Sequence, residues 1–431
     1  MPTPSLIATI RRSPKIALAL AAIFHMVVTL TIFGVGRFGS FPQQFDREGI
    51  GEFARDSRAH KEAAEQLSNL LKQAQFGSWI NSPDPPHAKI DSLSLLVMRP
   101  LVGSNILTFE PANLFCYLAV VILTFSLTKV IAGVRAAWLA AFIVALWPSL
   151  ILHTTQVLRD PLILAAFLAL MGILVMLLKE RLDWLRAAGA TLAGAVLVYL
   201  LVHSRPEMWL VFASIVFACG FLLVIEIVRL RKLYPPNLLV IVLLCLLTVV
   251  MPRPAVGPVS QPAWGDSRST SIWSRIAVAR RRFIIEGAQR SGSMIDENVV
   301  FTSRADVISY IPRALEIGYL APFPSMWFTT GYSVGLAGRL LSGIEMALTY
   351  LLEILACIFI WRNRKYFSSW LLLLLTTLLG MLALGLVVVN AGTLYRMRYP
   401  FWTQLVIMGA GGLAQLWTSD AKAASVRSTS R

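Results

Sequence analysis

Two carboxylates, Asp46 and Asp56, stand in the first strongly polar stretch of the chain, FDREGIGEFARDSRAHKEAAEQLSNLL from Phe45 to Leu71. A positioned carboxylate can take the proton of a hydroxyl as that oxygen attacks carbon, which makes Asp56 the candidate general base and Asp46 its reserve. From Ser57 onward, Ala63, Leu67, Leu70 and Leu71 recur at i, i+4, i+7 and i+8, opposite Arg58, Lys61, Glu62 and Glu65. That spacing predicts a short amphipathic helix lying on a surface. Asp56, immediately before it, also suits an N-cap. The two roles are compatible, because a carboxylate fixed by a cap can still accept a proton.

The second set of candidates suits phosphate. In HTTQVLRDPLI, Asp160–Pro161 has the form of a helix start, with Asp capping and Pro in the first turn. The same turn offers Arg159 or His153 to a phosphate, with Asp160 orienting it, since a guanidinium fork matches two phosphate oxygens at once. Arg205 lies in a short polar turn. In WSRIAVARRRFIIEG, Trp273, Ile276, Ala277 and Ile284 share one side, and Arg275, Arg280, Arg281 and Arg282 lie adjacent. This reads as an interfacial amphipathic helix whose arginines, Arg281 among them, meet lipid headgroups or the phosphate of a lipid carrier. Glu345 and Glu353 are two turns apart in an apolar run, where a carboxylate normally faces the interior of a helix bundle. Arg396 and Arg398 lie in NAGTLYRMRYPF beside Tyr395, Tyr399 and Trp402, an interfacial aromatic belt; snorkelling and phosphate binding are both open to them.

The elements that must position these residues are membrane helices. Of the 431 residues, 56% are hydrophobic and 14% charged, against about a quarter charged in soluble domains. The net charge of +16 therefore points to basic cytoplasmic loops and anionic lipid rather than to nucleic acid. A span needs about 20 apolar residues, which predicts an all-α polytopic bundle of about ten spans, approximately 16–36, 112–131, 136–152, 161–178, 187–203, 209–228, 238–252, 339–361, 369–389 and 401–418. Lys and Arg in the short loops put those loops and both termini in the cytoplasm, leaving 37–111, 253–338 and the remaining short turns outside. The chain divides into an N-terminal transmembrane module (1–252) with its first outer loop, an outer region (253–338) and a C-terminal transmembrane part (339–431). The first apolar run exceeds a signal-peptide core of ~7–15 residues, and no small-x-small cleavage site follows it, so it reads as a retained helix. SLSLLVMRPLVGSNILTFEPANLF reads as a re-entrant or surface-lying piece ahead of the second span. The four cysteines fall in apolar runs without metal spacing. No Walker, dinucleotide-binding or zinc motif occurs in the sequence.

Asp56, Ser57, His60, Ala64 and Leu67, directly after the first span, fit a pattern D-S/E-x-x-Y/H-x-x-x-A-x-x-L. This resembles the GT-C superfamily of membrane glycosyltransferases, which use polyprenyl-phosphate-linked sugars. Gly103, Ser104 and Asn105 fit the G-x-N element that often precedes the second span of that superfamily, and AAWLAAFIVALWPSLILHTTQVLRDPLI resembles its small-residue, Pro, polar-turn, acid pattern. The stretch from Arg290 to Trp327 and the NAGTLYRMRYPF turn are similar to membrane proteins of bacterial polysaccharide gene clusters. The resemblance implies an inverting transferase of the bacterial inner membrane. Its donor would be a polyprenyl-phosphate-linked sugar and its acceptor a glycan, lipid or protein, with Asp56 as base and Arg159, Arg205, Arg281, Arg396 and Arg398 as candidates for the leaving phosphate. No cofactor or metal is expected. A polymerase or ligase acting on a diphosphate-linked oligosaccharide, and a non-catalytic transport or assembly subunit of polysaccharide export, are the rival readings.

Overall fold

A computed structural model describes residues 14–251, 271–288, 293–329, 334–363 and 367–429. Of the described residues, 82% are helical. The described residues hold no strand, only isolated bridges pairing Phe45 with Gly51 and Met294 with Asn390. Among the described residues, seven helices are long and apolar enough to cross a membrane: Pro14–Arg37, Ile106–Ala132, Asp160–Lys179, Trp184–Ser204, Pro206–Leu230, Gly335–Arg362 and Ser368–Val387.

Three other predicted spans take different forms. The run 136–152 is a pair, Val134–Ala145 and Pro148–Thr154, bent by 60°. Pro148 has no N–H to continue the ladder and pushes Trp147 into an extended conformation, φ −71° and ψ 111°. The run 238–252 is the helix Pro235–Val250 of 16 residues, about 24 Å long at ~1.5 Å per residue. The run 401–418 lies within the continuous helix Tyr399–Thr429, which is not among the seven.

The chain forms two compact units, Met1–Ser126 with Ala137–Leu168, and Leu127–Ala136 with Ala169–Arg431. The first contains α1 (Pro14–Arg37), α2 (Asp56–Lys72), α3 (Phe76–Asn81), α4 (Pro86–Val102), most of α5 (Glu110–Ala132) and α6 (Val134–Ala145), α7 (Pro148–Thr154) and the start of α8 (Asp160–Lys179). Ala64 of α2, Leu95 of α4, Phe109 and Val157 form one core, and Ile32, Ile50 and Ile106 another. The predicted helix forms, but its buried face is Ser57, Lys61, Ala64, Leu67, Ser68 and Leu71: Lys61 lies on the packed side, and Ala63 and Leu70 are only half-buried.

The second unit contains the rest of α8, then α9 (Trp184–Ser204), α10 (Trp209–Leu230), α11 (Pro235–Val250), α12 (Ile272–Ala288), α13 (Arg304–Ser309), α14 (Ile311–Leu320), α15 (Gly335–Arg362), α16 (Phe367–Val387), α17 (Ala391–Met397) and α18 (Tyr399–Thr429). Gly409 and Gly412 let α18 approach α15 so closely that a Cβ at either position would meet the backbone of Leu352 or Leu355. Small residues permit this kind of backbone contact between membrane helices.

Candidate functional site

In the first unit the acid-bearing stretch is a tight turn built by Asp46 itself. Its Oδ1 accepts the backbone N–H groups of Glu48 (3.0 Å) and Ile50 (2.9 Å), while the Asp46 N–H donates to the Ile50 carbonyl at 3.0 Å. Such Asx turns are a local preference of the residue type. The other oxygen, Oδ2, lies 3.5 Å from Arg58 Nε, and Arg58 also pairs with Glu52. Desolvation pushes the Glu52 carboxyl up, but the Arg58 and Arg55 guanidiniums outweigh it and hold the group below its ordinary value. Asp56 is the first residue of α2 and exposed, and Arg55 occupies the cap position. The capping role foreseen for Asp56 is therefore replaced by a place in the first turn, where its charge complements the helix dipole.

This turn is held onto the segment that links α7 to α8. Gln156, fully buried, accepts the Gly51 N–H at 2.9 Å and donates to the Gly49 carbonyl at 3.3 Å. Asn113 of α5 in turn donates to the Gln156 carbonyl at 3.1 Å. Gly49 has φ +86° and a Cβ there would run into Ile106, so the residue type is dictated by both conformation and space. The ring of Phe53 stands edge-on to His153 at 5.6 Å and to Phe45 at 6.0 Å. The turn thus packs against the segment that carries Gln156 and His153. That segment continues along the chain into half-buried Arg159 and buried Asp160. Asp160 and Pro161 open α8, with Asp160 one place further in than a cap.

Further polar residues that no spacing rule singles out lie in the same unit. His25 of α1 is fully buried, with Nδ1 2.9 Å from Glu110 Oε1 and Nε2 3.0 Å from Thr154 Oγ. Thr29 donates to Glu110 Oε2 at 2.9 Å. Between α2 and α4, His60 Nδ1 and His87 Nε2 are 3.2 Å apart. Asp91, one turn beyond His87, has its carboxyl pushed up to about 7 by burial. Lys61 pairs with Glu48 at 2.5 Å and lies 3.8 Å from Glu65.

The second unit carries the other candidates. Arg280 is 2% exposed and donates to the carbonyls of Val299 (2.8 Å), Asp296 (2.8 Å) and Leu386 (3.1 Å). Its guanidinium also lies over the rings of Phe301 and Tyr310. The foreseen headgroup-facing stripe is corrected here: Arg280 organises the protein interior, while Arg275 is exposed and Arg281 and Arg282 are half-buried. Asp296 accepts from Arg313 Nε at 2.9 Å and from the Tyr310 hydroxyl at 2.8 Å; chiefly the Arg313 bond holds its carboxyl below the ordinary value, against desolvation.

The Ile295 N–H donates to Val389 (2.7 Å), and the Ala391 N–H to Ser293 (3.0 Å). These bonds bring the stretch 293–295 against the start of α17, which is capped by Asn390. Glu345 of α15 is buried and accepts the Tyr395 hydroxyl. Arg398, also buried, donates to the Ala321 carbonyl at 2.6 Å, contacts the Met346 sulfur and lies 4.2 Å from the Tyr395 ring centroid. Glu345 and Arg398 thus meet around Tyr395, with Arg396 half-buried on the same short helix. Arg205 is buried at the C-terminal end of α9.

Among the described residues no group of three or more His, Cys, Asp or Glu side chains is placed to hold a metal ion. No protein-family model, curated protein or solved structure matches this chain.

Proposed function

We propose that this protein is a GT-C-like membrane glycosyltransferase. It moves a sugar from a polyprenyl-phosphate-linked donor to a glycan, lipid or protein acceptor on the outer face of a bacterial inner membrane, with about ten spans and both termini inside. The observation that carries the reading is the Gln156 clamp, which fastens the acid-bearing turn at Gly49 and Gly51 to the segment between His153 and Asp160.

In the proposed reaction the acceptor oxygen attacks the anomeric carbon and the hydroxyl proton passes to the Asp56 carboxylate. The bond from that carbon to the phosphate oxygen breaks, with the electron pair leaving on the phosphate. Inversion at carbon follows from the single displacement. Asp56 suits the base because it is exposed at the start of α2, whereas Asp46 Oδ1 is occupied by two backbone donors. A guanidinium offsets the charge growing on the leaving phosphate. Arg159, next to Asp160 and six residues after His153, is the nearest such group along the chain; Arg205, Arg281, Arg396 and Arg398 are the further candidates, and Glu345 orients Tyr395 beside Arg398.

The test is release of polyprenyl phosphate from a panel of polyprenyl-phosphate-linked hexoses by membranes containing the protein, a readout independent of the acceptor's identity. Wild type should release it with at least one donor. Release only from diphosphate-linked oligosaccharides would replace this reading with the polymerase or ligase, and release from neither would leave the assembly subunit.

A further inference from the structure

Helix α4 is apolar on its outer side as well as in its packing. Its protein-facing side buries Ala88 and Leu95 together with His87, Asp91 and Ser92, and Ile90, Leu93, Val97 and Leu101 form one exposed stripe at i, i+3, i+7 and i+11. Exposure along that stripe rises from 37% at Ile90 to 75% at Leu101. The more exposed end is bolted to a membrane span. Only Gly103, Ser104 and Asn105 separate α4 from the span beginning at Ile106. Asn105 closes the joint, donating to the Val102 carbonyl at 2.5 Å and accepting the Leu107 N–H at 2.9 Å. Thr108 donates to the Gly103 carbonyl at 2.6 Å, and Ser94 to the Thr108 carbonyl at 2.7 Å.

Helix α3 shares the pattern. None of its residues is buried, Phe76 and Ile80 are exposed, and the Trp79 indole N–H fastens it to α4 through Ser92 Oγ at 3.0 Å. A contiguous apolar face of this kind marks an interaction surface. Its rigid junction with a span places the stripe beside the lipid-facing surface of that span, and Trp at the edge of such a face is the residue type that favours the bilayer interface.

We propose that α3 and α4 form an in-plane membrane anchor, with the Ile90–Leu93–Val97–Leu101 face seated in the acyl chains of the adjoining bilayer leaflet. The packed side of α4 is then turned toward α2, and the acid-bearing stretch is held at the membrane surface by a second attachment besides the spans.

The test uses the full-length protein in phosphatidylcholine vesicles containing a phospholipid with a photoactivatable diazirine in its acyl chain. Peptides covering 90–101 should be labelled to the same degree, within about twofold, as the span peptide containing Phe115. A water-soluble carbene reagent should leave them at a small fraction of the labelling seen around exposed Lys72. Aqueous labelling of 90–101 at the level of Lys72 overturns the proposal. Protection from both reagents, with Leu101→Cys cross-linking one copy to another, overturns it in favour of a dimer contact. A bimane probe on Val97→Cys gives an independent reading on a variant outside the packed side of the helix: quenching by doxyl-lipid supports the anchor, and quenching by iodide alone sinks it.

Discussion

Asp46 and Asp56 are ten residues apart and differ in what their oxygens already do. Asp56→Asn removes a proton acceptor at an exposed position, so polyprenyl phosphate release should fall by roughly 10²–10⁴-fold, the usual contribution of a general base, while protein accumulation and melting temperature stay near wild type. Unchanged turnover would remove Asp56 as the base. Asp46→Asn keeps the acceptor oxygen that organises the turn and should be mild, whereas Asp46→Ala should lose both turn and activity. Asp91 is a different case. Its folded carboxyl titrates near 7 against an ordinary 3.8, so between those values the folded state binds more protons than the unfolded one and stability falls as pH rises. Asp91→Asn should flatten that decline and raise the melting temperature most above pH 7, as read by thermal unfolding in detergent between pH 5 and pH 8. A steeper decline in the variant would contradict the burial argument.

At the scale of elements, the linkage of the acid-bearing turn to the α7–α8 connection depends on one amide. Gln156→Leu leaves the buried Gly51 N–H without its acceptor, a loss of about 1–3 kcal/mol, and should depress release of polyprenyl phosphate although every proposed catalytic group remains. Gln156→Glu keeps an acceptor for Gly51 but no donor for Gly49, so it should fall between the two. The long apolar helices and the α2 periodicity were legible in the sequence because each is a local signal repeated over many turns. The break at Pro148 was readable in principle, from a proline within a predicted span. His25, Glu110 and Gln156 were not, because each is a single polar residue whose partners lie 81 to 129 positions away. Nor was the inward turn of Arg280: the two residues after it are also arginines, and what distinguishes it is tertiary, chiefly the carbonyls of Asp296, Val299 and Leu386. Gly412→Val would place methyl groups against the Leu355 backbone. It should separate α15 from α18 at a cost of about 1–3 kcal/mol or more, visible as lower accumulation and a lower melting temperature, where the exposed Leu348→Val is near neutral.

For the whole molecule, the sidedness argued from the basic loops is tested by thiol labelling at a residue that the fold leaves open. Ser57 is fully buried, so Lys72→Cys at the exposed end of α2 is the better reporter. A membrane-impermeant maleimide should reach it in intact cells stripped of their outer membrane; labelling only after lysis would reverse the topology. The exposed apolar stripe of α4 also governs how the protein survives extraction. A detergent belt thick enough for the long helices but narrow at its rim would leave Val97 and Leu101 wet, and the cheapest response of the chain is to rotate or unfold the α3–α4 pair. Small, tightly curved micelles should therefore yield a preparation whose spans are intact and whose outer loop has lost its register, helical by spectroscopy yet inactive. Nanodiscs with a flat lipid border would keep both.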